Sequence, residues 1–244
     1  MKVKDIVIVG ILLGIGAIVR YFSLIAPGPI TSNLVIAFYS LAIVLVVPKV
    51  REALGIGIVA GIICALISHS LFPPANLVSE PIGALAAIGT ILVISKIAGN
   101  TARKDSKMGL AITLAGLLAL LGFAAVSLID PKNAFGIALL QNPANMIIYG
   151  AVSVVVLLVG LYLIPNKLNQ YKAAITAMTA TLASGISFIA VAGFVIFQMP
   201  GMLYKSAPPL DAFVLSALPI VIGCAIINMI LAQALYIPAK KAIR

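Results

Sequence analysis

Charge is what this chain has least of. Only 9% of its 244 residues are charged and only six are acids, whereas 63% are hydrophobic and the mean hydropathy is +1.23. A soluble domain carries roughly 25% charged residues, so the composition excludes one and describes a polytopic membrane protein. There is one histidine, His69, and no Ser partner motif stands in register with it, which argues against a serine hydrolase. The two cysteines, Cys64 and Cys224, lie inside apolar runs as small buried hydrophobes, and neither a disulfide framework nor a metal site is suggested. No GxxxxGK[ST] loop occurs, so the chain hydrolyses no nucleotide of its own. All six acids fall at the ends of apolar runs or between them, which speaks against intramembrane acid chemistry and against proton or sodium pumping. No catalytic role, resident cofactor or metal is expected.

What is present is a series of apolar runs. A transmembrane helix needs about 20 residues, and the runs predict eight: 5–24, 33–47 (short), 53–72, 82–98, 108–129, 145–164, 173–197 and 213–237. The first could be a signal peptide, but it lacks a clean small-residue cleavage site and is read as a span. The net charge of +10 sits in short loops rather than on a nucleic-acid-binding face. Thirteen of the sixteen Lys and Arg residues fall on one side of this topology, leaving Arg20, Lys132 and Lys205 on the other. By the positive-inside rule both termini are cytoplasmic, and an odd number of spans would spoil the segregation. Ala111-Ile112-Thr113 echoes Ala174-Ile175-Thr176 at the start of the fifth and seventh spans, a faint hint of duplication.

The central stretch runs from Lys49 to Pro81: a charged anchor, an apolar span and a proline-stiffened polar loop. Polar residues at membrane depth are costly and tend to be functional. The shortlist lies toward the outer side: Arg20, Asn33, Tyr39, His69, Asn76 and Glu80, with Asn228 in the eighth span. Each has a structural alternative: Arg20 could snorkel to the interface, His69 could be a hydrogen-bonded interfacial residue, and Asn228 could tie two helices together. The loops 26–32 and 71–80 are expected to roof the pocket. On the first span, Gly10, Gly14 and Ala17 flatten one face for close helix approach, either within the chain or against a partner subunit.

Several of these segments resemble a known family. Asn33-Leu34-Val35-Ile36-Ala37, the run from Gly55 to Ile63, the Pro73 to Pro81 loop with Asn76, and the Leu218-Pro219 helix with Asn228 are similar to the tryptophan-transporter (TrpP) family. That family belongs to the substrate-binding S components of energy-coupling factor (ECF) importers. The resemblance covers about residues 1–98 and 170–244. It implies an all-α membrane protein with a six-helix core, into which residues 99–169 insert a helix pair. It also implies a subunit that captures a small nutrient, tryptophan or another amino-acid-like or aromatic compound, and docks through Gly10 and Gly14 on a transmembrane coupling subunit. Two cytoplasmic ATPases would supply the energy. Ser79-Glu80 stands where the family would place an acid followed by a base, so the substrate is expected to differ in detail. A zwitterion could place its ammonium on Glu80 and its carboxylate on Arg20. Two other classes compete: a stand-alone secondary transporter, weakened by the lack of a buried acid, and a membrane assembly subunit that binds no small ligand.

Overall fold

A computed structural model describes residues 1–24, 32–99, 106–128, 152–153, 155–157, 159–160, 162–198 and 210–243. Among these residues the fold is entirely helical. In chain order the elements are α1 (Val3–Ser23), α2 (Val35–Val46), α3 (Val50–Leu66), a 3₁₀ turn (Pro73–Ala75), α4 (Asn76–Gly99), α5 (Lys107–Leu128), α6 (Pro165–Gln170), α7 (Lys172–Gln198) and α8 (Leu210–Ile243). Four segments are long and apolar enough to cross a membrane: Val3–Phe22, Pro73–Ala98, Lys172–Val195 and Ile220–Ile243. Val35–Val46 and Lys107–Ala119 are shorter apolar helices.

Local chemistry explains where the helices begin. Asp5 and Glu52 each occupy the third position of their helix and accept from the backbone N–H of Lys2 at 2.9 Å and of Lys49 at 2.7 Å. An acid in a first turn satisfies an orphan donor and faces the positive end of the helix dipole. These two acids are therefore helix caps. The helix α2 stops at Val47, which adopts a left-handed conformation (φ 48°) just before Pro48.

The boundaries correct the expected spans in three places. The third run was expected to continue to Phe72, but α3 ends at Leu66. Beyond it the Ser70 N–H donates to Ser68 Oγ at 3.1 Å and the two hydroxyls lie 2.7 Å apart. Such side-chain bonds offer the backbone an alternative to continuing a helix. Secondly, α4 starts at Asn76 instead of 82 and runs straight through Pro81, so Glu80 is a helical residue and not a loop residue. Thirdly, α8 does not end at Pro238 but continues to Ile243. The expected sixth span, 145–164, lies largely outside the described residues, with helical pieces at 152–153, 155–157 and 159–160. The 26–31 part of the expected roof also lies outside them.

The chain divides into two compact units, Met1–Val93 with Tyr171–Arg244, and Ile94–Gln170. In the first, α2 is the hub: every residue from Val35 to Val44 is buried, and it packs on α1, α3, α7 and α8. A core around Val9, Leu13, Ile36, Ile43, Ala53, Ile56, Ala84 and Ile88 joins α1 to α4. A second cluster, Phe188, Ile189, Phe213, Ala217 and Val221, joins α7 to α8.

The approach of α3 to α4 depends on Gly57 and Gly61. A Cβ at Gly57 would lie 2.7 Å from Pro81 Cα and 2.8 Å from Ala84 Cβ, and one at Gly61 would lie 2.8 Å from the Asn76 carbonyl oxygen. The two glycines are four residues apart, on one face, which is the spacing that lets helices meet backbone to backbone in a membrane. Packing at this seam accommodates Pro81 inside α4. A Thr90–Thr179 hydroxyl pair at 2.8 Å links α4 to α7.

In the second unit, Gly109 meets Leu163, Gly116 meets Leu157 and Gly160 meets Thr113, so α5 packs closely on these three positions. The Ser106 N–H donates to the Leu163 carbonyl at 3.0 Å.

Candidate functional site

The first unit contains a cavity with about 390 Å³ of atom-free space, its open mouth included. It is lined by Arg20 from α1, Asn33 and Ile36 at the start of α2, Ser70, Asn76 and Glu80 around the start of α4, Thr181, Ser184, Gly185 and Phe188 from α7, and Ile220, Val221 and Cys224 from α8. Most of the polar wall comes from α1, α2 and α4, and most of the apolar wall from α7 and α8.

The carboxyl of Glu80 is the centre of the polar wall. The residue is 1% exposed. Its Oε1 accepts from Asn33 Nδ2 at 2.5 Å and from the Ser184 hydroxyl at 2.9 Å. Its Oε2 is buried with no hydrogen-bond partner among the described residues. The buried Tyr39 hydroxyl lies beside this carboxyl. Gly83 makes room for that hydroxyl, since a Cβ there would collide with it.

Asn33 ties three helices to this point. Its side-chain amide reaches Glu80 in α4, its Oδ1 takes a weak contact from Cys64 Sγ at 3.5 Å in α3, and its backbone carbonyl accepts from Asn228 Nδ2 of α8 at 2.8 Å. The Asn228 amide also donates to Thr181 Oγ1 on α7 at 3.0 Å. Asn33 precedes α2 instead of belonging to it, so its carbonyl is outside the helical ladder and open to a side-chain donor.

Arg20 is 1% exposed, which excludes the snorkelling alternative. Its Nε donates to the Ile67 carbonyl at 2.7 Å and its Nη2 to the Cys64 carbonyl at 3.2 Å. Those carbonyls belong to the last turn of α3 and the residue after it, where orphan acceptors and the negative end of the dipole favour a cation.

The predicted site residues thus separate into groups. Arg20, Asn33, Asn76 and Glu80 line the cavity together. Tyr39 and Asn228 are fully buried behind that lining and support it. His69 is exposed in the segment after α3 and is not part of the lining. Asn76 turns back on its own loop, donating to the Pro73 carbonyl at 2.7 Å. Gly10 and Gly14 are exposed, with nothing within 4 Å of an added Cβ, and Ala17 is half-buried.

Sequence reading missed the α7 and α8 walls. Thr181, Ser184, Gly185 and Phe188 recur at helical spacing, as do Val221 and Cys224. That periodicity of small and polar residues marks one helix face and was the available signal. The shortlist favoured amides and charges over hydroxyls. The expectation that no acid is buried is also overturned: reading Pro81 as a breaker put Glu80 in a loop, whereas α4 carries it inside the bundle.

Among the described residues no group of three or more His, Cys, Asp or Glu could hold a metal ion. The chain matches no family, no curated protein and no solved structure with which it was compared.

Proposed function

We propose that this chain is a membrane-embedded substrate-binding subunit of an ATP-driven importer of the ECF type. It crosses the membrane eight times with both termini cytoplasmic, and residues 99–169 form an added helix pair. The cargo is a small nutrient, amino-acid-like or aromatic, and the chain performs no chemistry on it. The observation that carries this reading is the cavity itself: a buried carboxyl, an arginine, two amides and three hydroxyls line it together with Phe188, Ile220 and Val221. Ligand sites combine such an apolar wall with a few placed polar groups. The exposed Gly10–Gly14 face of α1 supports docking on a transmembrane coupling subunit, which two cytoplasmic ATPases would drive.

The test is thermal stabilisation of the purified protein across a panel of amino acids, amines and vitamins, tryptophan included. A ligand at a hundred times its dissociation constant adds about 2.7 kcal/mol. Folded protein that no compound stabilises would overturn the binding reading in favour of a membrane assembly subunit.

A second reading, a stand-alone secondary transporter, gains from the burial of Glu80, because a buried acid is what ion-coupled transport commonly uses. Uptake that collapses with ionophores and persists without the ATPases would select it.

A further inference from the structure

The end of the bundle where α7 begins and α8 ends carries positive charge without a counter-charge. Lys172 opens α7, and Lys240 and Lys241 lie in the last turn of α8. Lys172 Nζ and Lys240 Nζ both stand over the ring of Tyr236, each 5.6 Å from its centroid. Tyr236 is buried, so a fixed ring draws two ammoniums from different helices to one place. Their separation is at most twice that distance, and like charges repel more strongly as the surrounding dielectric falls.

No acid offsets them. Among the described residues the one ion pair joins the Met1 amine to Glu52. Asp5 and Glu52 cap other helices, Glu80 is inside the bundle, and Asp211 stands at the opposite end of α8. Lys4 differs in kind: its Nζ donates to the Ile243 carbonyl at 2.6 Å, where a cation closes the C-terminal end of α8. Among the described residues, Lys172 and Lys240 are held by the ring alone.

An anion would complete such a cluster, and the surface leading up to it indicates which kind. Ile227, Ile230, Ala234 and Ile237 are exposed and recur at spacings of three and four. They make an apolar stripe along α8, about 15 Å long, that runs on to Lys241 with Lys240 beside it. Tyr171, exposed next to Lys172, is of the residue type that gathers where membrane meets water. An apolar track ending in ammoniums matches an amphiphile with a negative head. A soluble phosphate would use the charges and leave the stripe without a role.

We propose that Lys172, Lys240 and the Tyr236 ring they share form a binding site for the phosphate of an anionic phospholipid, one of whose acyl chains lies along the stripe from Ile227 to Ile237. Basic sites between transmembrane helices hold such headgroups. The proposal needs the chain to lie in a bilayer and is independent of what the cavity binds.

The test is lipid retention by the purified full-length protein, delipidated and then incubated with phosphatidylglycerol or phosphatidylcholine of identical acyl chains, and read by native mass spectrometry. Phosphatidylglycerol should bind at least about tenfold more tightly, the yield of two lysines at a membrane surface. Lys172→Gln combined with Lys240→Gln should bring the two lipids to equal affinity. Arg51→Gln, which removes an exposed charge from α3, should leave the preference intact. Equal retention of the two lipids by the unsubstituted protein overturns the proposal, whether or not the double variant folds. A preference that survives the double variant overturns it too, as does one that falls equally with Arg51→Gln, which would mean attraction to net charge alone. Displacement of phosphatidylglycerol by an equal concentration of inorganic phosphate or of an oligoglutamate peptide would assign the cluster to a free anion or to an acidic protein segment, and would overturn the lipid reading.

Discussion

The Asn33 side chain donates to Glu80 across 2.5 Å and 47 positions of sequence, joining the start of α2 to the start of α4 at a point where both residues line the cavity. The same asparagine offers its backbone carbonyl to Asn228. One residue thus holds the cavity's acid in place and anchors α8.

That junction should respond to charge more than to size. Asn33→Ala removes one donor from a buried carboxyl and should destabilise the protein by about 1–3 kcal/mol. Asn33→Asp keeps the shape but sets a second acid within hydrogen-bond distance of Glu80, so it should cost more than the alanine. Denaturant or thermal unfolding in detergent at neutral pH measures both. An aspartate variant as stable as the parent would show that the contact contributes nothing to the fold.

Arg20 should behave as a helix-closing residue. Arg20→Met keeps an apolar stem of comparable reach but abandons the Cys64 and Ile67 carbonyls. Two orphaned acceptors at roughly 1–3 kcal/mol each predict a loss of about 2–6 kcal/mol, with Arg20→Lys intermediate. Hydrogen exchange at the last turn of α3 should accelerate in step. Uniform exchange with unchanged unfolding would contradict this role.

Two glycine pairs should separate folding from transport. Gly57→Val or Gly61→Val drives a side chain into the backbone of α4 and should cost about 1–3 kcal/mol or more. Gly55→Val, where an added Cβ meets nothing, is the matched control. Gly10→Leu and Gly14→Leu likewise meet nothing inside the protein and should leave unfolding unchanged. If α1 docks on a coupling subunit, these two should nevertheless reduce uptake in cells. Unaltered uptake would move the docking face elsewhere.

Thiol labelling gives the topology. Cys64 and Cys224 are free and buried, so the parent protein should resist an impermeant maleimide until it is unfolded. On a cysteine-free background, His69→Cys should label in intact cells and Lys4→Cys only after permeabilisation, since both residues are exposed and belong to opposite sides of the proposed topology. The reverse pattern would invert the orientation.

The helical class and the places of α1, α5 and α7 were legible because long apolar runs bounded by charge have few other solutions. The ends of α3, α4 and α8 were not. Apolarity continues past Leu66 through Leu71 and Phe72, so only the Ser68–Ser70 bonds reveal the break. Prolines 81 and 238 read as breakers, yet both lie within helices, as membrane helices tolerate where neighbours re-satisfy the backbone. Of the site, the charged and amide residues stood out as rare polar groups in an apolar chain. The α7 wall did not, because Thr181, Ser184 and Gly185 differ little in kind from the many other small residues of that helix.

The burial of α2 has a consequence for how this protein can vary. Twelve residues make a helix about 18 Å long, and ten in succession touch only protein. Substitutions along it should therefore show no rhythm of tolerance: each turn of the helix is equally constrained around its whole circumference. In α1, where Ile11, Ile15, Ile18 and Phe22 face outward while Val9, Leu13 and Arg20 face inward, tolerance should rise and fall with the helical period. A saturation scan of the two helices would draw a flat line for one and a wave for the other.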